Sequence, residues 1–168
     1  MKLRKLILTA LFIALSYIGA NIKVMDSIAF DSMAGFLGAI ILGPFYGAAI
    51  GAVGHILTAL LSGFPLTLPV HLVVMVDMGI TMAAFGSIYR YFSKKGQGVL
   101  GVILSFLAGV LINGPIATLT VYPLLVVSMG KAAVFAMIPM LTLVSALNVI
   151  IALVLYPLIR KAIKVELN

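Results

Sequence analysis

The chain has 168 residues, 64% of them hydrophobic and only 9% charged, with a mean hydropathy of +1.30. A soluble domain cannot present so little charge to water, so the composition gives an all-α integral membrane protein, with residues 1–168 forming a single bundle. The formal net charge of +7 is a topology signal, not a nucleic-acid footprint. Nearly all of the basic residues fall in three clusters, at Lys2, Arg4 and Lys5, at Arg90, Lys94 and Lys95, and at Arg160, Lys161 and Lys164. There is no cysteine, which excludes disulfides and Cys-based metal sites or nucleophiles.

The first predicted helix covers about Arg4 to Ala20. A basic start before an apolar run resembles a signal peptide, but further apolar runs follow at once and no small-residue cleavage site is visible, so it reads as a span. A loop with Lys23, Asp26 and Asp31 leads to a short apolar run, Met33 to Leu42. At ~1.5 Å per residue this second helix is too short to cross a bilayer alone. Gly43-Pro44 breaks it, and a third helix, about Phe45 to Leu61, follows with Gly43, Gly47 and Gly51 at four-residue spacing. Irregular backbone at membrane depth survives only where protein covers it or a cavity adjoins it. The stretch from Asn21 to Pro65 is therefore expected to form the wall and lid of a small-molecule site.

Ser62-Gly63-Phe64-Pro65 ends the third helix, and a fourth runs from about Pro69 to Phe92. The fifth is predicted over Val99 to Thr118, interrupted near its end by Gly114-Pro115. A loop is expected around Tyr122-Pro123, and the sixth helix runs from about Ala132 to Leu158. Hydropathy alone supports five to seven spans; the count adopted is a bundle of six transmembrane helices with a short, loop-preceded second helix. Both termini and the Lys94-Lys95 loop are then expected in the cytoplasm, with loops 21–32, 62–69 and 119–131 outside.

An ionisable or amide side chain inside so apolar a bundle is costly and marks a functional candidate by default. His55, His71, Asp77, Asn113 and Asn148 fall in the predicted helices, most of them toward the outer half. Asn113 and Asn148 serve equally well as ligand contacts or as hydrogen-bonded glue between helices. His55, among Ala52, Gly54 and Ala59, reads more readily as a packing residue. His71 either contacts a ligand or is solvated at the helix start. Asp77 needs a partner or a proton. It lies about 120° from His71 around an ideal helix, so the two converge only on a wide pocket, to which Met75 and Met78 would add an adaptable wall. Asp31 either contacts ligand or, in Asp-Ser before an apolar run, caps the second helix. Phe30, Phe64, Tyr122 and Phe135 are aromatics near the outer face. Ala10 and Ala14 form a small-xxx-small face on the first helix.

Absent motifs narrow the choice. No GxxxxGK[ST] loop is present, the two histidines do not form a metal set, and no arginine row suggests a voltage sensor. The chain carries no means of hydrolysing a nucleotide, and neither a cofactor nor a metal is expected.

The basic start leading into Ala10-Leu-Phe-Ile-Ala14, the segment Phe30-Asp31-Ser32-Met33-Ala34-Gly35-Phe36-Leu37-Gly38, and Gly43-Pro44-Phe45-Tyr46-Gly47 resemble the substrate-binding (S) components of energy-coupling factor (ECF) transporters. The likeness extends over essentially the whole chain. It implies that a vitamin or vitamin precursor is captured from outside under the outer loops. It also implies that the Ala10/Ala14 face docks on a transmembrane coupling subunit, with two ATPases supplying the energy. Within the family the pattern is most similar to α-ribazole transporters, with pantothenate transporters next. The substrate-binding set expected on this basis is Lys23, Asp31, His71, Asp77, Asn113, Tyr122 and Asn148. An anion such as pantothenate would call for Lys23 or Lys131, whereas a neutral benzimidazole riboside would use Asp31, Asp77 or Asn148. Two other classes stand beside this reading. A small membrane enzyme built on Asp77 and His71 lacks a convincing acid–base pair. An autonomous facilitator lacks a continuous polar path.

Overall fold

The computed structural model describes residues 2–21 and 30–163, and among them the chain forms six helices. These are α1 (Lys2–Asn21), α2 (Asp31–Ile41), α3 (Pro44–Leu61), α4 (Leu68–Lys94), α5 (Gly98–Met129) and α6 (Lys131–Ile163). All but α2 are long and apolar enough to cross a membrane. The 11 residues of α2 reach only ~16 Å, about half the hydrocarbon thickness.

Side-chain contacts give the direction of each helix. Lys5 lies over the Tyr46 ring at 5.7 Å, near the starts of both α1 and α3. Farther along both helices, Gly54 packs on Ser16, so α1 and α3 run parallel, with α2 descending between them. Arg90, near the end of α4, approaches Gly43, and Tyr89 meets Tyr156 of α6 at 5.8 Å. Successive helices therefore alternate in direction, and the described ends of the chain share one face, called here the terminal face.

The short helix is the centre of the bundle. Every residue from Ser32 to Ile41 is buried, and Phe36, Leu37, Ala39 and Ile40 are wholly inaccessible. A helix apolar on all sides can only be satisfied in this way. Its neighbours come close because they offer glycines. A Cβ on Gly47 would stand 2.6 Å from Ala39 Cα, and one on Gly86 would stand 2.9 Å from Ala39 Cβ. The four-residue glycine row of α3 is thus an internal packing face. Gly47→Ala is expected to cost ~1–3 kcal/mol through overpacking, read as a lower thermal midpoint in detergent. Gly79→Ala, where an added Cβ meets only ordinary contacts at 3.7 Å, should be close to neutral.

The start of α2 lies inside protein, so its free amides need partners. Ser32 N–H donates to Asp31 Oδ1 at 2.8 Å and Met33 N–H donates to Asn148 Oδ1 of α6 at 2.8 Å. Asp31 O accepts from Ser16 Oγ at 2.9 Å, and Phe30 N–H donates to Gly19 O at 3.1 Å, pinning this end to α1. Asp31 is itself the first helical residue, and Phe30 holds the cap position.

One expectation is corrected. Residues 119–129 are helical, not a loop, and the fifth helix continues through both Gly114-Pro115 and Pro123 to Met129. Pro115 is absorbed by a π-helical turn, Ile112–Ile116, which accommodates the missing amide without ending the helix. At membrane depth a broken helix would leave backbone groups unpaired, so widening one turn is the cheaper solution. The connection between α3 and α4 is a genuine loop, with Gly63, Phe64 and Thr67 all at positive φ. It lies on the face opposite the terminal one.

Candidate functional site

Five helices converge on a cavity of about 240 Å³ in the half of the bundle away from the terminal face. One water needs only ~10–15 Å³ on this kind of measure, so the space suits a small organic molecule. Helix α2 contributes Asp31 and Ser32, α3 contributes His55, and α4 contributes Val70, His71, Val74, Asp77 and Met78. Asn113, Ala117, Thr118, Val121 and Leu125 come from α5, and Met137, Leu141 and Val144 from α6. Leu66 of the α3–α4 loop completes the lining. The wall is mainly aliphatic, with polar atoms at a few fixed points, which is the usual make-up of a small-molecule site.

Each polar point is held by the fold. His71 is buried, and its Nδ1 lies 3.2 Å from His55 Nε2 across the α3–α4 hairpin, with the Phe64 ring 5.8 Å away. Asp77 Oδ2 is hydrogen-bonded to Thr120 Oγ1 of α5. Asn113 Nδ2 donates to Ser145 Oγ at 3.2 Å, and Ser145 Oγ donates in turn to Gly109 O at 3.3 Å. Thr118 Oγ1 donates to Gly114 O at 2.9 Å inside the π-helical turn. That turn carries Asn113 itself, so the local widening of α5 belongs to the wall of the cavity.

Of the residues expected at the site, Asp31, His71, Asp77 and Asn113 line the cavity together. His71 and Asp77 both do so despite their angular separation, because the cavity is wide enough to meet both sides of α4. Asn148 and Tyr122 are not among the lining residues. Asn148 is wholly buried, holding the start of α2, and Tyr122 packs edge-on against Phe135 at 5.7 Å. Lys23 and Asp26 lie outside the described residues. His55 was read as a packing residue, yet it lines the cavity, and Ser32, Thr118 and Thr120 were not singled out at all. His55 stands seven residues before Ser62 and His71 four after Thr67, unequal distances from the hairpin loop that gave no signal in the sequence that the two rings meet. Met78 lines the wall, whereas Met75 does not. Among the described residues no group of three or more His, Asp or Glu side chains could hold a metal.

Ala10 and Ala14 are both exposed on α1, whose Phe12, Ser16 and Ala20 face inward. No α1 residue lines the cavity.

A family model described as "ECF transporter, substrate-specific component" matches residues 4–160. No curated protein and no solved structure matches the chain.

Proposed function

The chain belongs to the family of substrate-specific components of ECF transporters, and from that premise we propose that it captures a small uncharged ring-bearing micronutrient, α-ribazole, on the outer side of the membrane. The family's energy source lies in coupling and ATPase subunits on other chains, in keeping with the absence of an ATP-binding motif here. The positive-inside rule supports a cytoplasmic terminal face, because Lys5, Arg90, Lys94, Arg160 and Lys161 all belong to it. The cavity would then open toward the outside, beneath the 62–67 loop.

One observation carries the choice of substrate. The described lining contains two carboxylates and two imidazoles but no lysine or arginine. A carboxylate-bearing molecule such as pantothenate would be desolvated opposite Asp31 and Asp77 without a counter-charge among the described residues, a costly arrangement in an apolar site. A neutral benzimidazole riboside instead places its ring on Val70, Val74, Val121, Leu125 and Met137. Of the two cations an anionic substrate would call for, Lys131 is exposed and lies over the Phe135 ring at 5.9 Å, and Lys23 lies outside the described residues.

The test is the molecule retained through purification in mild detergent, identified by mass spectrometry. α-Ribazole is expected. Retained pantothenate, with measurable affinity in the isolated protein, would overturn the choice of substrate and leave the transport role standing.

A further inference from the structure

Building on that reading of the chain as the capture subunit for a benzimidazole riboside, we propose that the cavity selects by hydrogen-bond polarity. Asp31, Asp77 and Asn113 present open acceptors to the ligand's sugar hydroxyls, so that the glycosyl group, and not the ring alone, is what the site reads.

Donors and acceptors around the cavity do not balance. Asp31 Oδ1 takes the Ser32 amide at 2.8 Å and the Ser32 hydroxyl at 3.2 Å, leaving Oδ2 without a donor among the described residues. Thr120 Oγ1 contacts both Asp77 Oδ2 and Ala117 O, the latter at 2.8 Å, but a hydroxyl has a single hydrogen to give. If it goes to Asp77, an ionised carboxylate has Oδ1 as an acceptor, whereas a neutral one would carry its own hydrogen on Oδ1. If it goes to Ala117, Asp77 donates its own proton from Oδ2 to Thr120, and Oδ1 is again an acceptor. With Asp77 ionised, or neutral and donating from Oδ2, Oδ1 stays open.

Asn113 is fixed by the same logic. The Ser145 hydroxyl gives its hydrogen to Gly109 O, so toward Asn113 it can only accept, and the amide must present nitrogen there. Asn113 Oδ1 remains an acceptor, beside one spare N–H. The Ser32 and Thr118 hydroxyl hydrogens are already used within the protein. In the imidazole pair, His55 Nε2 and His71 Nδ1 share one proton. In either arrangement of two neutral rings, one outer nitrogen carries hydrogen and the other is bare; His71 Nε2 is enclosed and without a partner among the described residues, so only His55 Nδ1 is left to face a ligand, as donor or as acceptor. With Asp77 ionised, the described lining therefore offers three acceptor atoms from three helices against one unmatched N–H of Asn113.

A ligand rich in hydroxyls satisfies that set. A ligand offering only acceptors would set lone pair against lone pair in a site poor in water, and a bare ring would leave the acceptors unserved. The aliphatic wall takes the ring whether or not a sugar is attached, so the sugar decides affinity.

The experiment is isothermal titration of the purified full chain in nanodiscs with two probes, α-ribazole and its free base 5,6-dimethylbenzimidazole. The riboside should bind roughly tenfold or more tighter than the base. Asp77→Asn, which replaces a carboxylate acceptor by an amide, should erase most of that advantage by weakening the riboside more than the base. An unchanged thermal midpoint of the variant would show that the effect lies in the site. Equal binding of base and riboside by the wild type, or equal weakening of both by Asp77→Asn, would overturn the polarity assignment and leave the benzimidazole reading in place. Wild-type protein that binds neither probe would overturn that reading and this assignment together.

Discussion

Replacing Ala14 by leucine is expected to abolish uptake by the assembled transporter while solute binding stays at the wild-type level. Ala14 and Ala10 lie one turn apart on the exposed side of α1, flanked by the exposed Ile7, Leu11 and Ile18. Within a bilayer, apolar exposure by itself drives no association, because lipid tails are as apolar as leucine. What draws two helices together is close backbone approach at small residues. Two alanines at this spacing form such a place, and a leucine at position 14 holds a partner helix off. Binding should survive because α1 contributes nothing to the cavity wall, and its inner side, with Phe12, Ser16 and Ala20, is left as it was. Uptake into proteoliposomes containing the complete complex and binding to the isolated chain are measured on the same variant. If binding fell along with uptake, the outer face of α1 could not be a separate docking surface.

That separation of faces was legible in the sequence in some parts and not in others, for physical reasons. The six helices were readable because glycine and proline fall between apolar runs of the right lengths. The reading failed at Pro115 and Pro123, although it ran correctly through Pro139 and Pro157 of α6. Pro115 and Pro123 carry the same local signal as Pro44, yet only Pro44 stands at a helix start, where its missing amide costs nothing. A single sequence does not show that a π-helical turn absorbs Pro115. At the site, Asp31, His71, Asp77 and Asn113 stood out because an ionisable or amide group in an apolar chain must be accounted for. Thr120 did not stand out, since threonine in an apolar helix ordinarily bonds its own backbone, and here it does that as well as reaching Asp77. Asn148, read either as a ligand contact or as hydrogen-bonded glue between helices, here bonds across helices. Its partner is a backbone amide 115 residues away, which only the fold brings near.

Asn148→Leu should produce the opposite signature from Ala14→Leu, with binding and stability falling together. The leucine side chain has the same branching and the same number of heavy atoms and is slightly bulkier, so the change removes polarity and opens no cavity. What is lost is the acceptor for Met33 N–H at 2.8 Å and the donor to Val144 O at 2.9 Å. Both ends of the first bond are buried, and water cannot replace the missing oxygen. An orphaned buried amide costs ~1–3 kcal/mol, a lower thermal midpoint that unfolding in detergent would register. The consequence for binding follows from what α2 carries at that end. Asp31 and Ser32 are its first two residues, both on the cavity wall, and Met33 is the next amide along. If the amide moves to find another partner, Asp31 and Ser32 move with it, and affinity for the captured solute should drop by roughly tenfold or more. Asn148→Asp, which keeps an oxygen facing Met33 N–H, should retain more of the affinity than the leucine variant. A leucine variant that binds like wild type would mean that the start of α2 is fixed from α1 alone, through Ser16 and Gly19, and that α6 serves only to close the wall.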